Sequence, residues 1–196
     1  MKKFLLTSIM AFLTFAIYAQ KPEVLEGDWE AISSIRIFDL EFDYSNVTIP
    51  EFASEEEYIA QKMKEKEEDE PGTGEDWKKR YFADREAHFE PKFIESFNKR
   101  GEWKADKTYD DSEYVMKVTT VEQYNGWNVG VMRKPARIAA TIGVYKRNDN
   151  EPLLLVKYED VKGADPLGYD FASHSRVAEG YAKLAKSFLR DLEKKG

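Results

Sequence analysis

Residues 136–161 read "ARIAATIGVYKRNDNEPLLLVKYEDV", and the architecture follows from how this run divides. Its flanks, 136–146 and 152–161, are rich in Val, Ile, Thr, Tyr and Leu, residues that suit a pleated, half-buried surface. The "RNDNE" between them is a cluster of turn formers, long enough only to reach a neighbouring antiparallel strand. The run is therefore read as a β-hairpin. Just upstream, "EYVMKVTTVEQY" (113–124) has the same character and supplies a third strand, making a meander.

The connection inside that meander is "YNGWNVGVMRKPARI" (124–138). A binding loop and a conformationally demanding turn would look alike here. Gly126 and Gly130 answer the need for backbone freedom between neighbouring strands, and Pro135 fits the mouth of a strand. Trp127 either packs over the sheet or stands out as an aromatic anchor. No turn requires Arg133, Lys134 or Arg137. Together with Trp127 and Asn128 they are the candidate ligand- or partner-binding residues.

Beyond the hairpin, "SHSRVAEGYAKLAKSFLRDLEKK" (173–195) places Val177, Tyr181, Leu184, Phe188 and Leu192 on one stripe with lysines opposite, the pattern of an amphipathic helix. Asp170 or Ser173 can cap its start, and Ala178, Ala182 and Ala185 allow close approach to a sheet. Before the meander, "IFDLEFDY" (37–44) alternates Phe38, Leu40, Phe42 and Tyr44 with Asp39, Glu41 and Asp43, which predicts a strand with one wet face. "AISSIRI" (31–37) is expected to extend it, and the broken alternation at the Ile37–Phe38 step is expected to mark a bulge or a length buried on both faces.

Ser54 and Glu57 fit a capping box that opens a sparsely apolar, solvated helix. "EDEPGTGED" (68–76) then reads as a flexible break. A second helix is expected from about Glu75 to Lys99, with Trp77, Tyr81, Phe89, Phe93 and Phe97 in a row that passes through Arg85, a kink or split at Pro91, and an end at Gly101. At helical spacing such an aromatic row is a core face before it is a sugar- or partner-gripping surface. The elements add up to an α+β domain: a mixed or antiparallel sheet of four to five strands, helices on one face and a C-terminal amphipathic helix. Residues 20–196 are read as one domain carrying an acidic helical insertion and break over 54–76.

The chain begins "MKKFLLTSIMAFLTFAIYAQ", with Lys2 and Lys3 before an apolar run from Phe4 to Ile17 and the small Ala19. That is the form of a signal peptide over 1–19, its apolar run shorter than the roughly 18 residues of a membrane-spanning helix. The expectation is export to the periplasm or beyond the cell, with no transmembrane segment in the mature chain. With no cysteine in the sequence there is no lipid attachment site behind the leader, no disulfide and no thiol chemistry. Stability must come from a packed core, which about 175 residues can supply. The net charge of −7 speaks against general nucleic-acid binding, although it leaves room for a local cationic patch.

Catalytic signatures are scarce: the sequence holds no nucleophile elbow, no phosphate-binding loop and no dinucleotide fingerprint. No cofactor is implied. His88 and His174 are far apart in the chain, so a multi-histidine metal site is not expected and each reads as a surface or helix-start residue. The remaining enzymatic reading rests on Asp110, Asp111, Glu113, Asp165 and Asp170, carboxylates near element ends that could form an acid/base pair acting on glycans.

"GWNVGVMRKPARI", "GYDFASHSRVAEGYAKLAK" and "FEPKFIESFNK" together resemble an uncharacterised family (domain of unknown function) of small exported Gram-negative envelope proteins. Its relatives include lipoproteins similar in fold to the N-terminal domain of the periplasmic Tol-system protein and to auxiliary lipoproteins of lipid transporters. The resemblance covers about residues 80 to 192. It implies a fold and a compartment and carries over no catalytic residue. This chain departs from the lipoprotein members in lacking the lipid-bearing cysteine, and its acidic 55–76 region has no counterpart among them. The expected function is a non-catalytic exported domain that binds an envelope protein or small ligand; the alternative is a carboxylate-dependent hydrolase of envelope or extracellular glycans.

Overall fold

The structure is a computed structural model that describes residues 22–99, 101–128, 132–164 and 173–196. The leader expected over 1–19, and Gly130, Asp165 and Asp170, lie outside them. In chain order the strands are β1 (Glu23–Gly27), β2 (Ile37–Asp43), β3 (Lys104–Asp106), β4 (Tyr114–Tyr124), β5 (Trp127–Asn128), β6 (Arg133–Lys134), β7 (Arg137–Lys146) and β8 (Pro152–Lys162). The helices are α1 (Glu55–Asp69), α2 (Thr73–Asp84), α3 (Glu90–Asn98) and α4 (Ser173–Lys195).

The meander forms the centre of an α+β fold. β7 pairs antiparallel with β4 on one side and β8 on the other, Ile142 lying opposite both Val118 and Val156. The complete sheet has six strands in the order β1-β8-β7-β4-β2-β3, so it is mixed and wider than the expected four to five. β2 lies parallel to β4, with Asp39 opposite Val115 and Asp43 opposite Thr119. A parallel pair needs a long crossover, and here the chain from α1 to β3 provides it.

Two strands of this sheet were not anticipated. β1 is short and exposed along its length, and β3 has only three residues, so neither offers a periodicity to read. "AISSIRI" does not extend β2: a 3₁₀ turn at Glu30–Ile32 precedes it, with the Ala31 amide donating to the Asp28 carboxylate at 2.9 Å. That turn buries Trp29 and Ile32, and Trp29 meets Phe188 at 5.4 Å between ring centres. The broken alternation at Ile37 has a plain cause, since its side chain is 53% exposed at the start of the strand.

α3 and α4 cover one face of the sheet. Phe93, Phe97, Tyr181, Leu184 and Phe188 meet Phe38, Leu40, Met116, Val118, Ile142 and Val156 in a single apolar core. Burying each such side chain contributes about 1.5–3 kcal/mol. The helices run side by side in the same direction, as the contacts Phe89–Tyr181 and Phe97–Phe188 show.

The expected helix from Glu75 to Lys99 is α2 and α3 joined through a π turn at Arg85–Phe89. Four-residue steps overshoot an α-helical turn by about 40° each, so the row Tyr81, Arg85, Phe89, Phe93, Phe97 would drift away from the core in a regular helix. The wider turn takes up the drift, and all four aromatic members are buried. Pro91 follows in the first turn of α3, where a missing N–H is tolerated.

The break expected over 68–76 is a tight interruption between two helices. Glu70, Pro71 and Gly72 turn the chain between α1 and α2, Gly72 has φ of 90°, and the Glu67 carboxylate accepts from the amides of Gly72 and Gly74 at 2.8 and 3.2 Å. Helix α1 is not merely solvated, because Tyr58 and Ile59 join Val47, Ile49 and Tyr81 in a second, smaller core. The capping box is present in altered form: the Glu57 amide donates to Ser54 Oγ at 3.2 Å, while the Glu57 carboxylate accepts from Ala53 at 2.7 Å.

Candidate functional site

One end of the molecule gathers the end of β4, the start of β7, the end of β8, the π turn and the first turn of α4. The segment that raised the binding question leaves from this end. β4 closes at Tyr124, and Gly126 reverses the chain with φ of 68°; a Cβ there would lie 2.5 Å from the Lys134 carbonyl oxygen, which excludes any other residue. β5 and β6 then pair as a two-stranded arm apart from the main sheet, Trp127 opposite Lys134 and Asn128 opposite Arg133.

The five sequence-predicted residues divide by position. Lys134 Nζ sits 5.8 Å from the centre of the Trp127 ring, within range of a cation–π attraction. Arg133 and Lys134 are exposed, and the neighbouring Met132 is 60% exposed. Asn128 takes part through its backbone register. Arg137 belongs to the base of the arm, its guanidinium 4.8 Å from the Tyr124 ring centre and 3.9 Å from the Glu122 carboxylate.

The arm's base is held by a polar cluster that the sequence did not reveal. Gln123, buried, donates to Asn125 Oδ1 at 2.9 Å, and Asn125 Nδ2 donates to the Tyr58 hydroxyl at 2.8 Å. From α4, Arg176 donates through Nε and Nη2 to the Asn125 carbonyl at 3.3 and 3.2 Å. One asparagine thus ties the arm to both α1 and α4. Its signal in the sequence is only its place beside Gly126.

A second constellation lies at the same end and brings together the two histidines that are far apart in the chain. His88, in the π turn, and His174, in the first turn of α4, stack with ring centres 4.3 Å apart and planes at 22°. Asp84 joins them, with Oδ1 3.7 Å from His88 Nε2. One donor atom from each residue lies within 4.8 Å of the others. Burial pushes the Asp84 carboxyl up, against the opposing pull of His174, His88 and Arg80. Distance along the chain hid this grouping, because it forms only when the parallel packing of the π turn and α4 is in place.

At the opposite end, the carboxylates offered for hydrolysis border a cavity of about 730 Å³ with Arg36, Ile37 and Tyr109. Asp110, Asp111 and Glu113 are all exposed, and Glu113 pairs with Lys146 at 3.2 Å. No helix among the described residues is long and apolar enough to cross a membrane. Comparison with family models, curated proteins and solved structures finds no match to this chain.

Proposed function

We propose that this chain is an exported envelope or secreted domain, without catalysis of its own, that binds a protein partner through the β5–β6 arm. The observation that carries the reading is the arm itself: Trp127 lies beside Lys134, and Met132 and Arg133 are exposed next to them. Aromatic, methionine and arginine side chains are the types enriched where interfaces concentrate binding energy. The cations stand out on a chain of net charge −7, so the partner surface that complements them is acidic around an apolar pocket. Export is supported by the Lys2–Lys3, Phe4–Ile17 and Ala19 pattern.

The reading is tested by placing a photo-crosslinking residue at Met132 in intact cells. A discrete protein adduct is expected, falling roughly tenfold in yield in Trp127→Ala and again in Lys134→Glu, since removing an interface anchor costs about 1–2 kcal/mol or more. An adduct pattern unchanged by Trp127→Ala, or no discrete adduct, sinks the proposal.

A further inference from the structure

The stacked histidines at the start of α4 have a chemistry that the arm does not use. We infer that Asp84, His88 and His174 form a binding site for a divalent first-row transition ion of the zinc type, joining the π turn to the first turn of α4. The inference is independent of the arm and would survive its failure.

The donor set selects the class of ion. Two imidazoles and one carboxylate suit zinc, nickel or iron(II), whereas magnesium and calcium prefer all-oxygen cages. Metal–nitrogen and metal–oxygen bonds of about 2.0–2.2 Å place tetrahedral donors about 3.4 Å apart. The three donors here lie within 4.8 Å, and the Asp84–His88 pair is already at 3.7 Å.

The frame around the donors is firm. Asp84 and His88 are four residues apart at the junction of α2 and the π turn, and His174 is brought to them by the packing of Phe89 on Tyr181 at 5.3 Å and the ion pair of Lys92 with Glu179 at 3.5 Å. Single π turns inside α-helices are frequent at functional sites.

A further observation points the same way. Among the described residues neither imidazole has a hydrogen-bond partner, and the Asp84 carboxylate, only 24% exposed, accepts no hydrogen bond. The nearest charged neighbour of this carboxylate is the His88 ring at 3.7 Å, so a cation held between it and the two rings would meet an acceptor that no closer donor occupies. The His88 side chain is 44% exposed, which gives an ion a path from solvent. Three protein ligands leave a coordination position for water or for an anionic group brought by another molecule.

The experiment titrates the untagged protein with zinc(II) and with cobalt(II), each alone, following heat and the visible absorption of bound cobalt. One saturable equivalent per chain is expected, together with a rise in melting temperature. His88→Phe and His174→Phe keep the ring stack and remove the donors, and Asp84→Asn removes the charge on a helix surface. Each should weaken binding roughly tenfold or more, while the metal-free variants retain the native circular dichroism. Glu68→Gln, in the acidic α1, should bind as the native protein does. No saturable binding, or binding that survives all three ligand substitutions, overturns the inference. Should a phenylalanine variant fail to fold, Asp84→Asn decides alone.

Discussion

The two packed regions of this chain are assembled from different materials. Between the sheet, α3 and α4, the core is an interlock of aliphatic and aromatic side chains drawn from strands of alternating pattern. Between α1, α2 and the Val47–Phe52 segment, the smaller core has few buried members, and polar contacts complete it. Arg85 reaches Glu55 at 2.6 Å with both side chains largely enclosed, and lies over the rings of Tyr44 and Phe82 at 4.7 and 4.9 Å. Tyr81 donates to the same Glu55 oxygen at 2.7 Å, and burial together with that carboxylate raises its phenol well above the usual range, so the donor persists at every accessible pH. A helix as highly charged as α1 cannot dock on apolar area alone. It docks because one carboxylate is held by an arginine and a tyrosine from the next helix.

The contrast can be broken in order of effect. Phe93→Ala should cost about 3–5 kcal/mol and unfold both regions together in urea, because the main core supports everything else. Arg85→Ala leaves Glu55 enclosed without its cation and should cost about 2–3 kcal/mol, less than a fully buried pair because water reaches both groups. Its effect should be local: amide exchange across 55–84 accelerates while β4, β7 and β8 remain protected. Equal acceleration in the sheet would show that the two regions are one cooperative unit. Ser54→Ala, which removes the cap of α1, should cost about 1 kcal/mol and register only in exchange at that helix's first turn.

The smallest effect concerns the end of β2, where the chain passes from one region to the other. The amide and hydroxyl of Ser45, and then Lys117 at 3.0 Å, hold the Asp43 carboxyl down to about 2. A depressed carboxyl pKa contributes stability that is complete above the unfolded value of about 3.9 and is lost as pH falls through the folded one. Asp43→Asn should therefore lower stability by a constant amount at neutral pH and flatten the profile between about pH 4 and pH 2, where the native protein loses that contribution.

The same contrast explains what was legible. The hairpin of 136–161, the third strand and α4 were readable because Val, Ile, Tyr and Leu recur there at strand or helix period. β2 was readable as a strand but not as a parallel one, since orientation is decided by a partner that arrives much later in the chain. Arg85 looked like an interruption in an aromatic row; its four-residue spacing was in fact the mark of the π turn. Of the candidate sites, the arm announced itself through Gly126 and Trp127, which act within one short segment. Asn125, Tyr58 and Arg176 meet only in three dimensions, as do His88 and His174, and no local pattern foretells them.

β1 has a consequence for how the molecule comes into being. Its partner is β8, with Glu23 opposite Lys157 and Gly27 opposite Leu154. A chain that emerges amino end first must hold this segment unpaired until about two-thirds of the polypeptide has followed, so this edge of the sheet is completed late. Such long-range closure makes assembly slow. During the wait, Glu23 and Glu26 are a safeguard, because charges on a waiting strand discourage it from pairing with its own copies.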